Sequence, residues 1–199
     1  MNIYLMRHGE TAWNVLHLMQ GRSDIPLNEN GLEQARKAAE AMKEIPFDGI
    51  LSSPLQRAQQ TAQIVAEGRD VPVLVDKRLV EMGFGAMEGL SLTEHPDLRD
   101  VFFNDPEHYV PSKEGETFAQ LSQRCGEVLD ELLPYLAQQN HQNVLLVSHG
   151  AFIRGVVQRV MNRPLSQFWN NGPMKNCSCT VLKLENGAYE LVEEGRIFS

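Results

Sequence analysis

Cysteine is scarce. Cys125, Cys177 and Cys179 are the only three in the chain. An odd, irregularly spaced set offers no disulfide framework and points to reduced thiols in a cytoplasmic protein. Cys177-Ser178-Cys179 alternates on a predicted strand, so both thiols share a face, yet nothing nearby completes four metal ligands. Positive charge is also short: 18 lysines and arginines face 26 aspartates and glutamates, a formal net charge of −8. That balance repels nucleic acid and anionic membranes, which excludes both as expected partners. It repels phosphate esters at long range too, so a phosphate site must gather its arginines locally. No apolar run approaches the roughly 20 residues of a membrane span. No secretory leader is expected either, because Met1–Met6 runs straight into Arg7 and His8. The six histidines form no His-x-x-x-His or His-x-x-Glu-His spacing, so neither a metal nor a cofactor is expected. His17, His95, His108 and His141 lie in polar segments and are expected at the surface, with His108 beside Tyr109 a candidate for a substrate mouth.

What is present suits one α/β domain over residues 1–199: 42% of the chain is hydrophobic and 22% charged. Ile3–Met6 reads as a buried strand ending at Arg7-His8-Gly9. From Asn30 to Lys43, Leu32, Ala35, Ala39 and Met42 recur at helical steps. Gly49-Ile50-Leu51 leads into Ser52-Ser53-Pro54, where Ser53 is expected to cap a helix that continues to Ile64 or Val65, Pro54 to fit its first turn and Gln56 to complete a capping box. Val71–Val75 and Asn143–Val147 read as strands, and Phe118–Leu136 and Phe152–Met161 as helices. Cys177–Leu184 and Tyr189–Glu193 alternate around Asn186-Gly187, a hairpin signal. Residues 85–115, with three prolines, are expected to form a lid-like insertion of short helices and loops. The alternation of strands and helices predicts a three-layer α/β/α sandwich with a mostly parallel, mixed central sheet.

Two apolar strands each finish in His-Gly: Met6-Arg7-His8-Gly9 and Val147-Ser148-His149-Gly150. Ligands of open α/β sheets bind beyond the carboxyl ends of the strands. If the two strands are neighbours, His8 and His149 face one crevice, and Gly9 and Gly150 let backbone approach a ligand. Arg57, expected about one turn into the helix after Pro54, and Arg7 supply two guanidinium forks suited to a dianionic phosphate.

The run Leu5-Met6-Arg7-His8-Gly9-Glu10-Thr11-Ala12-Trp13-Asn14 resembles the signature of the histidine phosphatase superfamily, which includes cofactor-dependent phosphoglycerate mutases. The resemblance continues through Gln20-Gly21, Asp24–Asn28 with Gly31, Ser52–Ala58 with Thr61, Glu81 with Phe84-Gly85 and Glu88-Gly89, Glu114–Thr117, and Ser148-His149-Gly150. It implies that His8 is the nucleophile, attacking phosphorus as a neutral imidazole to form a phosphohistidine. It assigns Arg7, Arg57 and His149 to charge stabilisation around the transferring phosphoryl group. Asn14 matches a residue reaching the phosphoryl group, and Thr11, Gln20, Gly21 and Gly150 match positions lining the substrate side. Glu81 matches the proton donor to the leaving alkoxide, with Met82, Phe84 and Met87 expected as an apolar wall around it.

The resemblance covers two activities, phosphomonoester hydrolysis and phosphoglycerate mutase-type transfer. Mutase relatives carry a longer insertion after the Glu81 position, with paired basic residues that grip a carboxylate. Here Leu90–Lys113 holds only Arg99 and Lys113 against Glu94, Asp97, Asp100, Asp105 and Glu107, which favours the phosphatase branch and leaves a substrate carboxylate without an evident partner. Met82-Gly83 and Met87 depart from common family residues and leave the choice of ester open. The expected partner is a small-molecule phosphate ester, and the expected assembly a monomer or homodimer.

Overall fold

A computed structural model describes residues 1–170 and 172–197. The strands are β1 (Asn2–Arg7), β2 (Gly49–Ser52), β3 (Val73–Val75), β4 (Asn143–Ser148), β5 (Cys179–Glu185) and β6 (Ala188–Arg196). The helices are α1 (Ala12–Val15), α2 (Glu29–Ala41), α3 (Gln56–Ala66), α4 (Pro96–Asn104), α5 (Phe118–Glu127), α6 (Leu133–Gln138) and α7 (Gly150–Val160). The sheet order is β3-β2-β4-β1-β5-β6. The first four strands are parallel, and β5 and β6 join antiparallel, so the sheet is mixed as the sequence predicts.

Strand alternation divides the core into two layers. Ile3, Leu5, Leu51, Val144 and Leu146 face one side, where they meet residues of α5 and α7 such as Leu121, Phe152 and Val156. Met6, Ile50, Leu145 and Val147 face the other, against Ala35, Ala38 and Met42 from α2 and Ala58, Ala62 and Val65 from α3. Both faces of β4 are buried, which explains its uninterrupted apolar run. Cys177 and Cys179 both join the second layer, although Cys177 sits just before β5 with φ +52° rather than on a strand.

Three local expectations need correction. Ser53 does not cap α3; the helix starts at Gln56, and Asp24 from a separate loop accepts from the Gln56 amide (2.7 Å) and side chain (3.0 Å). Arg57 therefore lies in the first turn rather than a turn deeper. The Phe118–Leu136 helix is broken into α5 and α6 by a wide π turn over Val128–Leu132. Pro134 lacks an amide hydrogen and its ring crowds the preceding turn, so the ladder opens by one residue and the Leu133 N–H reaches back to Val128. In α2 the buried stripe runs through Ala35, Ala38 and Met42, and Ala39 is only partly buried. The β5–β6 turn forms as expected, with Asn186 and Gly187 both at positive φ.

Candidate active site

The parallel pairing of β1 with β4 sets Arg7 opposite Ser148, so the next residue of each strand, His8 and His149, emerges side by side. Their ring centroids lie 5.1 Å apart. β2 pairs on the far side of β4, which brings Ser53 to the same sheet end, where its hydroxyl lies 2.7 Å from His149 Nε2. The ends of β1 and β4, through Arg7, His8 and Gly150, line a cavity of about 590 Å³.

His8 is buried and has a defined tautomer. Its Nδ1 lies 2.7 Å from the Gly9 carbonyl, an acceptor only, so Nδ1 carries the hydrogen. Arg57 Nε, a donor only, lies 3.3 Å from His8 Nε2, which therefore presents a lone pair. Burial first, then Arg57 and Arg7, hold the His8 pKa well below its ordinary value, so the ring is neutral. His149 is likewise kept neutral by burial and by Arg57.

Arg57 is wholly buried, and its guanidinium is fixed by the carbonyls of Ser23 and Gly21, both at 2.7 Å. Burial lowers its pKa to about 10, which leaves it charged at neutral pH. Arg7 donates to the Met174 carbonyl while its buried Nε has no protein partner, and His149 Nδ1 is in the same state. Two unpartnered polar atoms beside a neutral imidazole form a cradle that phosphoryl oxygens would satisfy.

Glu81 lines the same cavity, in the corner it shares with Arg7 and Gly150. Its carboxylate accepts from the amides of Met82 (2.8 Å), Ala151 (3.2 Å) and Phe152 (3.0 Å), the last two at the start of α7. Of the expected apolar wall, Met82 packs into the core and Phe84 lines the cavity with Glu81, while the carboxylate's hydrogen-bond partners are amides. A glycine at position 150 keeps this corner open, since a Cβ there would lie 3.8 Å from Arg7 Nε and 3.9 Å from Glu81 Oε2. Gly9 serves otherwise than expected: a Cβ would meet the Gly31 carbonyl at 2.5 Å, so its smallness admits the α2 backbone and not a ligand.

Arg7, His8, Asn14, Gln20, Gly21, Arg57, Glu81 and Gly150 all line the cavity. His149 is wholly buried, with its ring centroid 5.1 Å from that of His8, and is not among the residues that line the cavity. Thr11 is also withdrawn: fully buried, it caps α1 and donates to Gln20 Oε1 at 3.0 Å. Asn14 completes that capping box, and its Oδ1 also accepts from Asn176, whose amide additionally donates to the His8 carbonyl at 3.0 Å. Asn176 carried no motif signal. His108 points outward to Asp105, whereas His17 reaches the cavity. Within residues 85–115, Arg99 lies about one helical turn before Phe102 and Phe103 on α4, and all three line the cavity with Trp13 and Trp169. Arg99 thus supplies a cavity cation that the sequence left unassigned. No group of three His, Cys, Asp or Glu side chains among the described residues could hold a metal ion.

The pattern of the histidine phosphatase superfamily (branch 1) matches residues 3–195. The chain is 34% identical over 177 residues to the adenosylcobalamin/alpha-ribazole phosphatase of Escherichia coli, which covers 85% of this chain and 84% of that protein. It is 32% identical over 194 residues to the "Probable phosphoglycerate mutase GpmB" of Proteus mirabilis, covering 95% and 87% of the two. The solved structure of Bacillus stearothermophilus YhfR superposes with a TM-score of 0.88 at 32% identity, covering 98% of this chain and 97% of that one.

Proposed function

The chain belongs to the histidine phosphatase superfamily and is a phosphoric monoester hydrolase, and from that premise we propose that it carries the phosphoryl group of a small-molecule ester on His8. The observation supporting this most strongly is the tautomer of His8: the Gly9 carbonyl accepts from Nδ1–H, so Nε2 keeps its lone pair at the cavity wall, met in this structure by Arg57 Nε at 3.3 Å. In the first step that lone pair attacks phosphorus and the bond to the ester oxygen breaks. Arg7, Arg57 and His149 stabilise charge on the equatorial oxygens, in positions fixed before reaction. Glu81 passes its proton to the departing alkoxide. In the second step water attacks phosphorus, Glu81 as carboxylate takes the water proton, the P–N bond breaks, and His8 is restored with release of inorganic phosphate. Asn14 would reach the phosphoryl group through Nδ2, since its Oδ1 is engaged by Thr11 and Asn176. Gln20, Gly21 and Gly150 would border the alcohol half, with Thr11 acting through Gln20.

Similarity alone does not separate hydrolysis from mutase-type transfer, because relatives named for each are about equally alike. Hydrolysis is favoured by the lid, which brings the single cation Arg99 to the cavity rather than a basic pair. A phosphate-release screen over metabolite monoesters, run beside a mutase assay primed with 2,3-bisphosphoglycerate, tests this. Phosphate release should dominate; mutase flux well above it would reverse the assignment. The reaction proposed is metal-independent and cytoplasmic, in keeping with three free, buried cysteines. Among the described residues no helix is long and apolar enough to cross a membrane. The assembly is proposed to be a monomer or a homodimer, and the net charge of −8 argues against nucleic acid as partner.

A further inference from the structure

Residues 80–84 belong to no helix or strand, yet they place Glu81. Backbone groups in such a segment need partners from elsewhere; a few are backbone, such as the Glu116 amide on the Gly83 carbonyl (2.7 Å), and most are side chains. Arg124 of α5 donates to the carbonyls of Arg78 (3.0 Å), Val80 and Glu81 (3.3 Å). Ser148 donates to the Leu79 carbonyl (2.7 Å). Arg22 Nε donates to the Glu81 carbonyl (3.3 Å), and Glu116 accepts from the Gly83 amide (3.1 Å). The three charged residues are joined: the Glu116 carboxylate holds Arg124 at 2.8 Å and Arg22 at 3.2 Å.

Such a cluster is an expensive way to hold a loop. The Glu116 side chain is 9% exposed and that of Arg124 13%, so both ions are largely desolvated, and apolar packing of similar volume often serves stability as well or better. What the charges add is direction. The Arg124 guanidinium that grips the Glu81 carbonyl also lies 5.4 Å over the Phe152 ring, and the Phe152 amide donates to Glu81 Oε1. Arg124 thus touches Glu81 from behind through its main chain, and in front through the residue that holds its carboxylate.

We propose that Arg124, Glu116 and Arg22 are positioning residues that aim the Glu81 carboxyl at the leaving-group oxygen. This rests on the reading of Glu81 as proton donor. Misplacing a reacting group by about 1 Å can cost on the order of a hundredfold. In the first transfer the loss should appear only where the leaving group needs a proton: on alkyl phosphates, and not on aryl phosphates whose phenolate departs unaided.

The test compares kcat/KM, which reports the first transfer to His8 and not the shared hydrolysis step, for glycerol phosphate and 4-nitrophenyl phosphate with wild type, Glu81→Gln, Arg124→Met, Arg22→Ala and the Arg124→Met/Glu81→Gln double variant. Arg124→Met should slow the alkyl ester about 10- to 100-fold and the aryl ester less than about threefold. Arg22→Ala, at a side chain 47% exposed, perturbs folding least and carries the test if Arg124→Met misfolds; it should slow the alkyl ester alone, by about three- to tenfold. The double variant should be no slower on the alkyl ester than Glu81→Gln, because both changes remove one function. Equal slowing of both esters by Arg22→Ala, no slowing by it, or additive losses in the double variant would overturn the positioning role while leaving Glu81 in place. Equal slowing of both esters by Glu81→Gln itself would remove Glu81 as the acid, and the positioning role with it.

Discussion

Acidification from pH 7.5 to 5.5 should cost the wild-type protein up to about 1.4 kcal/mol of stability more than a His8→Asn variant. His8 is buried beside Arg57 and Arg7, and its folded-state pKa lies well below the ordinary value of 6.5. A depressed folded-state pKa means that the unfolded chain binds the extra proton, so stability is fully present above 6.5 and is lost as pH falls from there toward the folded-state value. At pH 5.5 an unfolded histidine is about ten-elevenths protonated, so the loss reaches RT ln 11, or about 1.4 kcal/mol, as its upper limit when the buried ring stays neutral; at pH 7.5 the same expression is below about 0.1 kcal/mol. Every other titrating group is common to the two proteins and cancels in the difference, and asparagine keeps a donor for the Gly9 carbonyl. Urea unfolding of both proteins at both pH values measures it. If the two lose stability in parallel, His8 is not held neutral by its surroundings, and the argument for a ready nucleophile fails.

His8→Ala should lower turnover on any ester by at least about a thousandfold in a steady-state assay, since no other group can carry the phosphoryl. Dialysis against EDTA should leave turnover of a phosphate monoester unchanged; a loss restored by a divalent cation would contradict a metal-independent reaction. Gly31→Ala should destabilise the fold by about 3 kcal/mol, read as a lower melting temperature, because the new Cβ would sit 2.1 Å from the Glu10 carbonyl oxygen. Ser53→Ala should slow turnover about tenfold with little change in KM, as His149 loses the hydroxyl 2.7 Å from its Nε2.

The strand ends were readable because they combine two strong local signals, an unbroken apolar run and a terminal Arg-His-Gly or Ser-His-Gly. Once β1 and β4 pair in register, the two histidines must meet. The support of that site was not readable, because its contacts are between distant segments. Arg57 is steered by carbonyls at Gly21 and Ser23, groups that every residue possesses and that no side-chain pattern marks. Asp24 took the capping role expected of Ser53, which left the Ser53 hydroxyl free for His149. Thr11 stands within the recognised motif yet acts from beneath it, through Gln20. The Arg99, Phe102 and Phe103 face required knowing that residues 96–104 form a helix, which the prolines on either side obscured.

Rapid quenching of the enzyme during turnover, followed by peptide mapping of the phosphorylated species, addresses the covalent step itself. The label should be acid-labile and base-stable, as a phosphoramidate is, and should map to the peptide containing His8. Phosphorus on another side chain, or substrate consumed with no labelled protein and with inverted configuration at phosphorus, would contradict transfer through His8.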